Sequence, residues 1–79
     1  MKLTLLFFGV LTDVTGMSQK ELNTEDLEDV NLLNLHLQSM FPLLSKHKYK
    51  IAVNQKIAEH SQTLQDGDEV AFLPPFAGG

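Results

Sequence analysis

Seventy-nine residues with 43% hydrophobic side chains, ten carboxylates and six basic groups give a small globular chain of formal charge −4. That charge balance is wrong for gripping a phosphate backbone, so nucleic acid is not an expected ligand. With no cysteine, the chain can hold no disulfide framework, thiolate metal site, iron–sulfur cluster or cysteine nucleophile.

A chain of this length forms one domain, 1–79, and buries only roughly 60% of the surface its unfolded form exposes, so it gains stability from a partner. The apolar stretch at 3–11 is too short to span a bilayer and lacks the basic lead and small-residue cleavage site of a secretory signal. It reads as a mature strand of a cytoplasmic protein with no membrane contact.

Residues 2–8 form an apolar run without helical stops, hence a first strand buried over most of both faces. Leu3, Leu5 and Phe7 share one face; the other begins with Lys2 and Thr4 and turns apolar at Leu6 and Phe8. Gly9 breaks the run, 10–15 predicts a short helical turn closed by Gly16, and 18–23 a weak second strand anchored by Leu22. Glu21, Glu25, Asp26, Glu28 and Asp29 form an acidic patch that reads as a solvated loop and favourable charge at a helix start. Asp29 is the predicted N-cap. Beyond it Val30, Leu33, Leu37 and Met40 or Phe41 recur at helical spacing, while Asn31, Asn34 and Gln38 point elsewhere. Pro42 ends the helix, because the residue before a proline is pushed out of helical conformation.

Residues 42–48 read as a connector, 49–53 as a third strand, Asn54-Gln55 as a tight turn, and 56–58 as a short fourth strand. An irregular segment leads to Asp66-Gly67, a turn whose glycine tolerates positive φ, and a final strand at 69–73. The two most apolar strands lie at the chain ends, which places them side by side at the centre of a mixed sheet. The expected class is α+β, a β-grasp sheet of about five strands with one main helix packed on one face. Val70 and Phe72 then face the helix. Leu6, Phe8, Ala71 and Leu73 form an apolar patch on the bare face, which predicts a partner surface, the alternative being burial under the chain's own loops.

No side-chain constellation predicts independent catalysis. His36, His47 and His60 lack metal-ligand spacing, Asp66-Gly67-Asp68-Glu69 lacks the twelve-residue calcium-loop pattern, and no serine or threonine sits in a nucleophile elbow. The tail at 74–79 is different. Pro74 and Pro75 cannot donate ladder hydrogen bonds and fix φ, so the chain leaves the sheet extended and can reach roughly 20 Å at ~3.3 Å per residue. Gly78 and Gly79 carry no Cβ, can thread a narrow channel, and leave the Gly79 carboxylate open to approach. A terminal Gly-Gly by itself specifies no function.

Phe7-Phe8-Gly9, the helix ending at Phe41-Pro42, Ala52-Val53-Asn54-Gln55 and above all the stretch from Leu64 through Asp66-Gly67-Asp68-Glu69 to Pro74-Pro75-Phe76-Ala77-Gly78-Gly79 resemble the MoaD family of molybdopterin synthase small subunits, in the ubiquitin-like ThiS/MoaD superfamily. The resemblance spans essentially the whole chain. It implies a ubiquitin-like sulfur carrier whose Gly79 carboxylate is adenylated by an ATP-dependent activating enzyme of the MoeB type and converted by a sulfur donor to a thiocarboxylate. The tail then enters a large catalytic subunit of the MoaE type and delivers sulfur to cyclic pyranopterin monophosphate; two turnovers build the dithiolene. The resemblance further implies a heterotetramer, nucleotide binding only through activation of the tail, and no cofactor or metal held by this chain. Gly79 and Gly78 are its implied reactive residues, and Phe8, Leu73, Pro74, Pro75, Phe76, Leu6 and Ala71 its implied partner contacts. Many members carry an arginine–glutamate pair where this chain has Thr12-Asp13, so that polar contact does not carry over. A thiamine-pathway sulfur carrier, a ubiquitin-like modifier of lysines and a non-enzymatic interaction module are the alternatives.

Overall fold

The computed structural model describes residues 1–75; the expectations for Phe76, Gly78 and Gly79 lie outside that span. Strand β1 (Lys2–Phe7) leads through helix α1 (Val10–Thr15) to β2 (Gln19–Asn23) and the main helix α2 (Val30–Met40). A 3₁₀ helix (Pro42–Lys46), β3 (Lys50–Val53), β4 (Lys56–Ile57) and β5 (Glu69–Leu73) complete the order. The five strands form one mixed sheet in the order β2-β1-β5-β3-β4. The two chain-end strands, β1 and β5, pair in parallel at its centre, and every other pairing is antiparallel. With α2 across one face, this is the ubiquitin-like β-grasp architecture.

Strand parity sorts the two faces. Leu3, Leu5, Phe7, Val70 and Phe72 point inward with Ile51 and Val53, and meet Val30, Leu33 and Leu37 of α2 in one core. Phe7 and Phe72 lie opposite each other in the β1–β5 register, and their rings stack with centroids 5.2 Å apart. The predicted helical stripe is thus the buried one, and Phe41 rather than Met40 continues it: Phe41 packs on the core while Met40 is exposed. Leu32 and Leu35 lie off the stripe and are exposed.

Both helix ends have identifiable chemistry. At the start of α2 the Asp29 carboxylate accepts from the Leu32 amide at 2.8 Å, the N-cap bond that satisfies one orphan donor. The amides of Val30 and Asn31 donate to the carbonyls of Gln62 and His60, so the irregular segment before β5 seals the helix N-terminus. Its Leu64 enters the core. At the other end Phe41 caps α2 and Pro42 opens the 3₁₀ helix.

That 3₁₀ helix replaces the expected connector. Its Leu44 is wholly buried while neighbouring Leu43 is 59% exposed. A tight three-residue turn presents only every third side chain to one side, which explains why two adjacent leucines part company. Leu44→Ala should therefore lower the unfolding free energy by about 2–4 kcal/mol, whereas Leu43→Ala should change it by no more than about 0.5 kcal/mol. Urea titrations of the two variants compare them directly.

Candidate functional site

The site is built from the turn before β5 outward. Gly67 adopts φ +88°, the left-handed conformation a β-carbon disfavours, and its amide donates to the Lys2 carbonyl at 2.7 Å. The Asp66 carboxylate accepts from the Lys2 amide at 2.6 Å, so the turn clamps the first residue of β1 from both sides. Asp68 accepts from the Gln65 amide and from the Asn54 side chain, each at 2.9 Å. Asn54 in turn accepts from the Glu69 amide at 3.0 Å. Acidic side chains that resemble a cation loop in sequence are thus spent on holding three strands in register. Among the described residues no group of three or more His, Asp or Glu side chains could hold a metal ion.

With that register set, the face away from α2 carries a row of residues across the sheet. Gln19, Leu6, Ala71, Ala52 and Ile57 are successive cross-strand partners from β2 to β4. Leu6, Phe8, Ala71 and Leu73 all lie on this face, where strand parity puts them. Phe8 is 43% exposed, Leu6 and Leu73 are half-buried, and Ala71 is shielded between its larger neighbours. Ile57, 61% exposed at the edge, extends the apolar row one strand further than sequence reasoning took it. A two-residue strand offers no alternation to read; only its pairing with Ala52 reveals the face.

The exit from β5 is shaped by Gly9. It holds φ +57° and ψ −135°, and a β-carbon there would sit 2.9 Å from Cγ of Pro74, inside any tolerable contact. The bare glycine lets Pro74 lie against the end of β1, while Pro75 beyond it is exposed. Two clefts share Lys48, Tyr49, Lys50 and Ile57, and the first of them reaches this exit. One of about 410 Å³ is lined by Lys48, Tyr49, Lys50, Ile57, Leu73, Pro74 and Pro75. The other, about 460 Å³ and more polar, lies on the helix side of the same edge and includes His47, His60, Asn34 and Gln38. Asn34 and Gln38 lie off the apolar stripe, as expected, and clasp Tyr49: Gln38 donates to its hydroxyl at 3.0 Å, and the hydroxyl donates to Asn34. Burial pushes the Tyr49 hydroxyl above the ordinary tyrosine range, against the lowering effect of these two amides. No nucleophile–base pair is assembled among these side chains.

Residues 5–79 match the model of the ThiS family. The chain belongs to that family. A Mycobacterium tuberculosis protein named molybdopterin synthase sulfur carrier subunit is 40% identical over 81 residues, covering 99% of this chain and 98% of the relative. Among solved structures, a chain from a complex of subunits 1 and 2 of the Helicobacter pylori molybdopterin-converting factor superposes with a TM-score of 0.72 at 26% identity, both chains being covered in full. The Haloferax volcanii protein SAMP1 shares the fold with a TM-score of 0.83 at 21% identity over the whole of both chains. The β-grasp fold is thus shared with a chain that retains only 21% sequence identity.

The Gly9–Pro74 contact is open to a double-mutant cycle. Gly9→Ala should destabilise by about 1–3 kcal/mol through strain and collision. In a Pro74→Ala background the same change should cost measurably less; an equal cost by urea denaturation would mean that Pro74 is indifferent to residue 9.

Proposed function

We propose that this chain is the sulfur carrier subunit of a molybdopterin synthase and that the carboxylate of Gly79 is its reacting group. The observation that carries the reading is that one strand joins both requirements: β5 presents Ala71 and Leu73 on an apolar face free of its own helix and runs directly into the Pro74-Pro75 exit. The whole-chain likeness to a relative named as such a subunit supports it.

The chemistry follows from the poor electrophilicity of a carboxylate. Its oxygen attacks the α-phosphorus of ATP in an adenylating enzyme of the MoeB type; pyrophosphate leaves and an acyl-adenylate forms. Sulfide released by a sulfur donor adds at the carbonyl carbon and displaces AMP, and the resulting thiocarboxylate presents a soft nucleophilic sulfur. In the large catalytic subunit, of the MoaE type, that sulfur bonds to a carbon of cyclic pyranopterin monophosphate, and water then hydrolyses the resulting thioester, leaving the sulfur on the pterin and returning the Gly79 carboxylate. Two carriers in succession supply the two dithiolene sulfurs. The proteins assemble as a heterotetramer of two small and two large subunits.

In this scheme the chain contributes no acid or base. Its tasks are docking, through Leu6, Phe8, Ala71, Leu73 and Ile57, and delivery, through Pro74, Pro75, Phe76 and the two glycines. Ordering a glycine tail inside a pocket carries a conformational cost of roughly 1–2 kcal/mol per residue, which the apolar contact must offset. A small domain with an exposed apolar row has that contact available.

Incubated with the adenylating enzyme, ATP and a sulfur donor, the intact chain should gain the mass of one oxygen-to-sulfur exchange at its C-terminus. An unchanged mass, or isopeptide adducts on lysines of other proteins, would overturn the reading. Appending one residue after Gly79 should abolish molybdopterin formation while leaving the thermal unfolding midpoint in place.

Phe8→Asp and Ile57→Asp should each weaken binding to the large subunit by about tenfold or more, equivalent to ~1.4 kcal/mol. Both side chains are already exposed, so isothermal calorimetry should show this loss without a matching loss of fold stability.

A further inference from the structure

We infer that the cleft at the root of the tail is a socket for an acidic, apolar-tipped segment of the docking partner, and that Lys48 and Lys50 select and steer that segment. The inference rests on the sulfur-carrier reading, with the large subunit as the partner.

The cleft, about 410 Å³, has an apolar floor made by Tyr49, Ile57, Leu73 and the two prolines, with Lys48 and Lys50 also lining it. Lys50 stands opposite Leu73 in the β3–β5 register and so belongs to the docking face itself. Ile57 belongs both to the cleft and to the apolar row across the sheet. The socket is therefore a continuation of the docking surface toward the point where the tail leaves.

Charge decides what kind of segment fits. From residue 30 to residue 58 the chain has four lysines and no carboxylate; its acidic side chains all lie before or after that stretch. Among the described residues the salt bridge found is Lys2 to Glu21, at the far side of the sheet, and none involves Lys48 or Lys50. The two ends of the face differ: Glu69 and the Lys2–Glu21 ion pair border it where β1 begins, and Lys50 and Lys48 where the tail leaves. At physiological ionic strength charges separated by more than about 8 Å are largely screened, so an approaching surface senses this local pair rather than the net charge of −4. Lysine stems extend the apolar walls of such a cleft while their ammonium groups stay in water. The complementary ligand is an apolar side chain flanked by one or more carboxylates. A nucleic acid would have to bring its phosphates against the acidic remainder of the chain, which a short acidic protein segment avoids.

The test uses the full-length chain and its cognate large subunit. Association is followed by stopped flow at ~20 mM and ~500 mM salt for the natural chain, for Lys48→Glu/Lys50→Glu, and for Lys48→Arg/Lys50→Arg. At low salt the glutamate variant should associate about tenfold more slowly, the gap should close at high salt, and the arginine variant should behave like the natural chain. Thermal unfolding of each variant checks that the fold is kept. Equal rates at both salt concentrations, or a faster glutamate variant, would overturn the inference while leaving the sulfur-carrier reading intact. Failure of the natural chain to bind the large subunit, together with a negative thiocarboxylate assay, would remove both. In a second arm, carbodiimide coupling of the formed complex should join Lys48 or Lys50 to an aspartate or glutamate beside an apolar residue. A complex that forms but yields no such link overturns the inference.

Discussion

The parallel pairing of β1 with β5, from Thr4 opposite Glu69 to Phe7 opposite Phe72, is the constraint on which the molecule depends. It brings together strands from opposite ends of the chain, so its closure is entropically unfavourable and cannot be nucleated locally. Phe7 stacked on Phe72 supplies apolar contact to offset that cost, and the Asp66-Gly67-Asp68 turn removes the freedom to slip. A slip by one residue would exchange the two faces of β5, sending Val70 and Phe72 outward and Ala71 and Leu73 into the core. One register therefore sets the core and the candidate docking surface together.

The docking face owes its shape to residue size as much as to hydrophobicity. Ala71 and Ala52 sit side by side at its middle, each less than 10% exposed, with Leu6 on one flank and Ile57 on the other. The opposite face is closed by α2 and the 3₁₀ helix. In the proposed function, docking falls to this sheet face and reaction to the tail that follows Pro74-Pro75, which asks for no acid or base from the sheet.

Aiming depends on the end of β1 as well as on the prolines. Gly9 accepts a conformation closed to residues with a β-carbon and so admits Pro74 against it, which couples the direction of the exit to the same central strand pair. Lys48 and Lys50 border that exit, whereas the acidic turn that fixes the register lies at the opposite end of β5. Both lysines are exposed, and among the described residues neither makes an ion pair.

Much of this was legible in the amino-acid sequence because the signals are local and periodic. Alternation in β1 and β5 separated inner from outer side chains, the i, i+3, i+7 spacing of Val30, Leu33 and Leu37 marked the buried stripe of α2, and Asp29 and Pro42 bounded it. Leu44, Ile57 and the Asn34–Tyr49–Gln38 clasp were not legible, for a common reason: each depends on what lies across from it. Leu44 is buried because the 3₁₀ helix packs against α1 and α2, Ile57 faces outward because the Asn54-Gln55 turn pairs it with Ala52, and two amides on α2 find a partner only when Tyr49, just before β3, reaches them. By itself, then, the sequence determined the elements, the inward and outward sets of the central strands, and the presence of a proline-stiffened glycine tail. The tertiary structure decided how far the apolar row extends and which cations stand beside the exit, since both are properties of pairing between distant segments, which local periodicity does not encode.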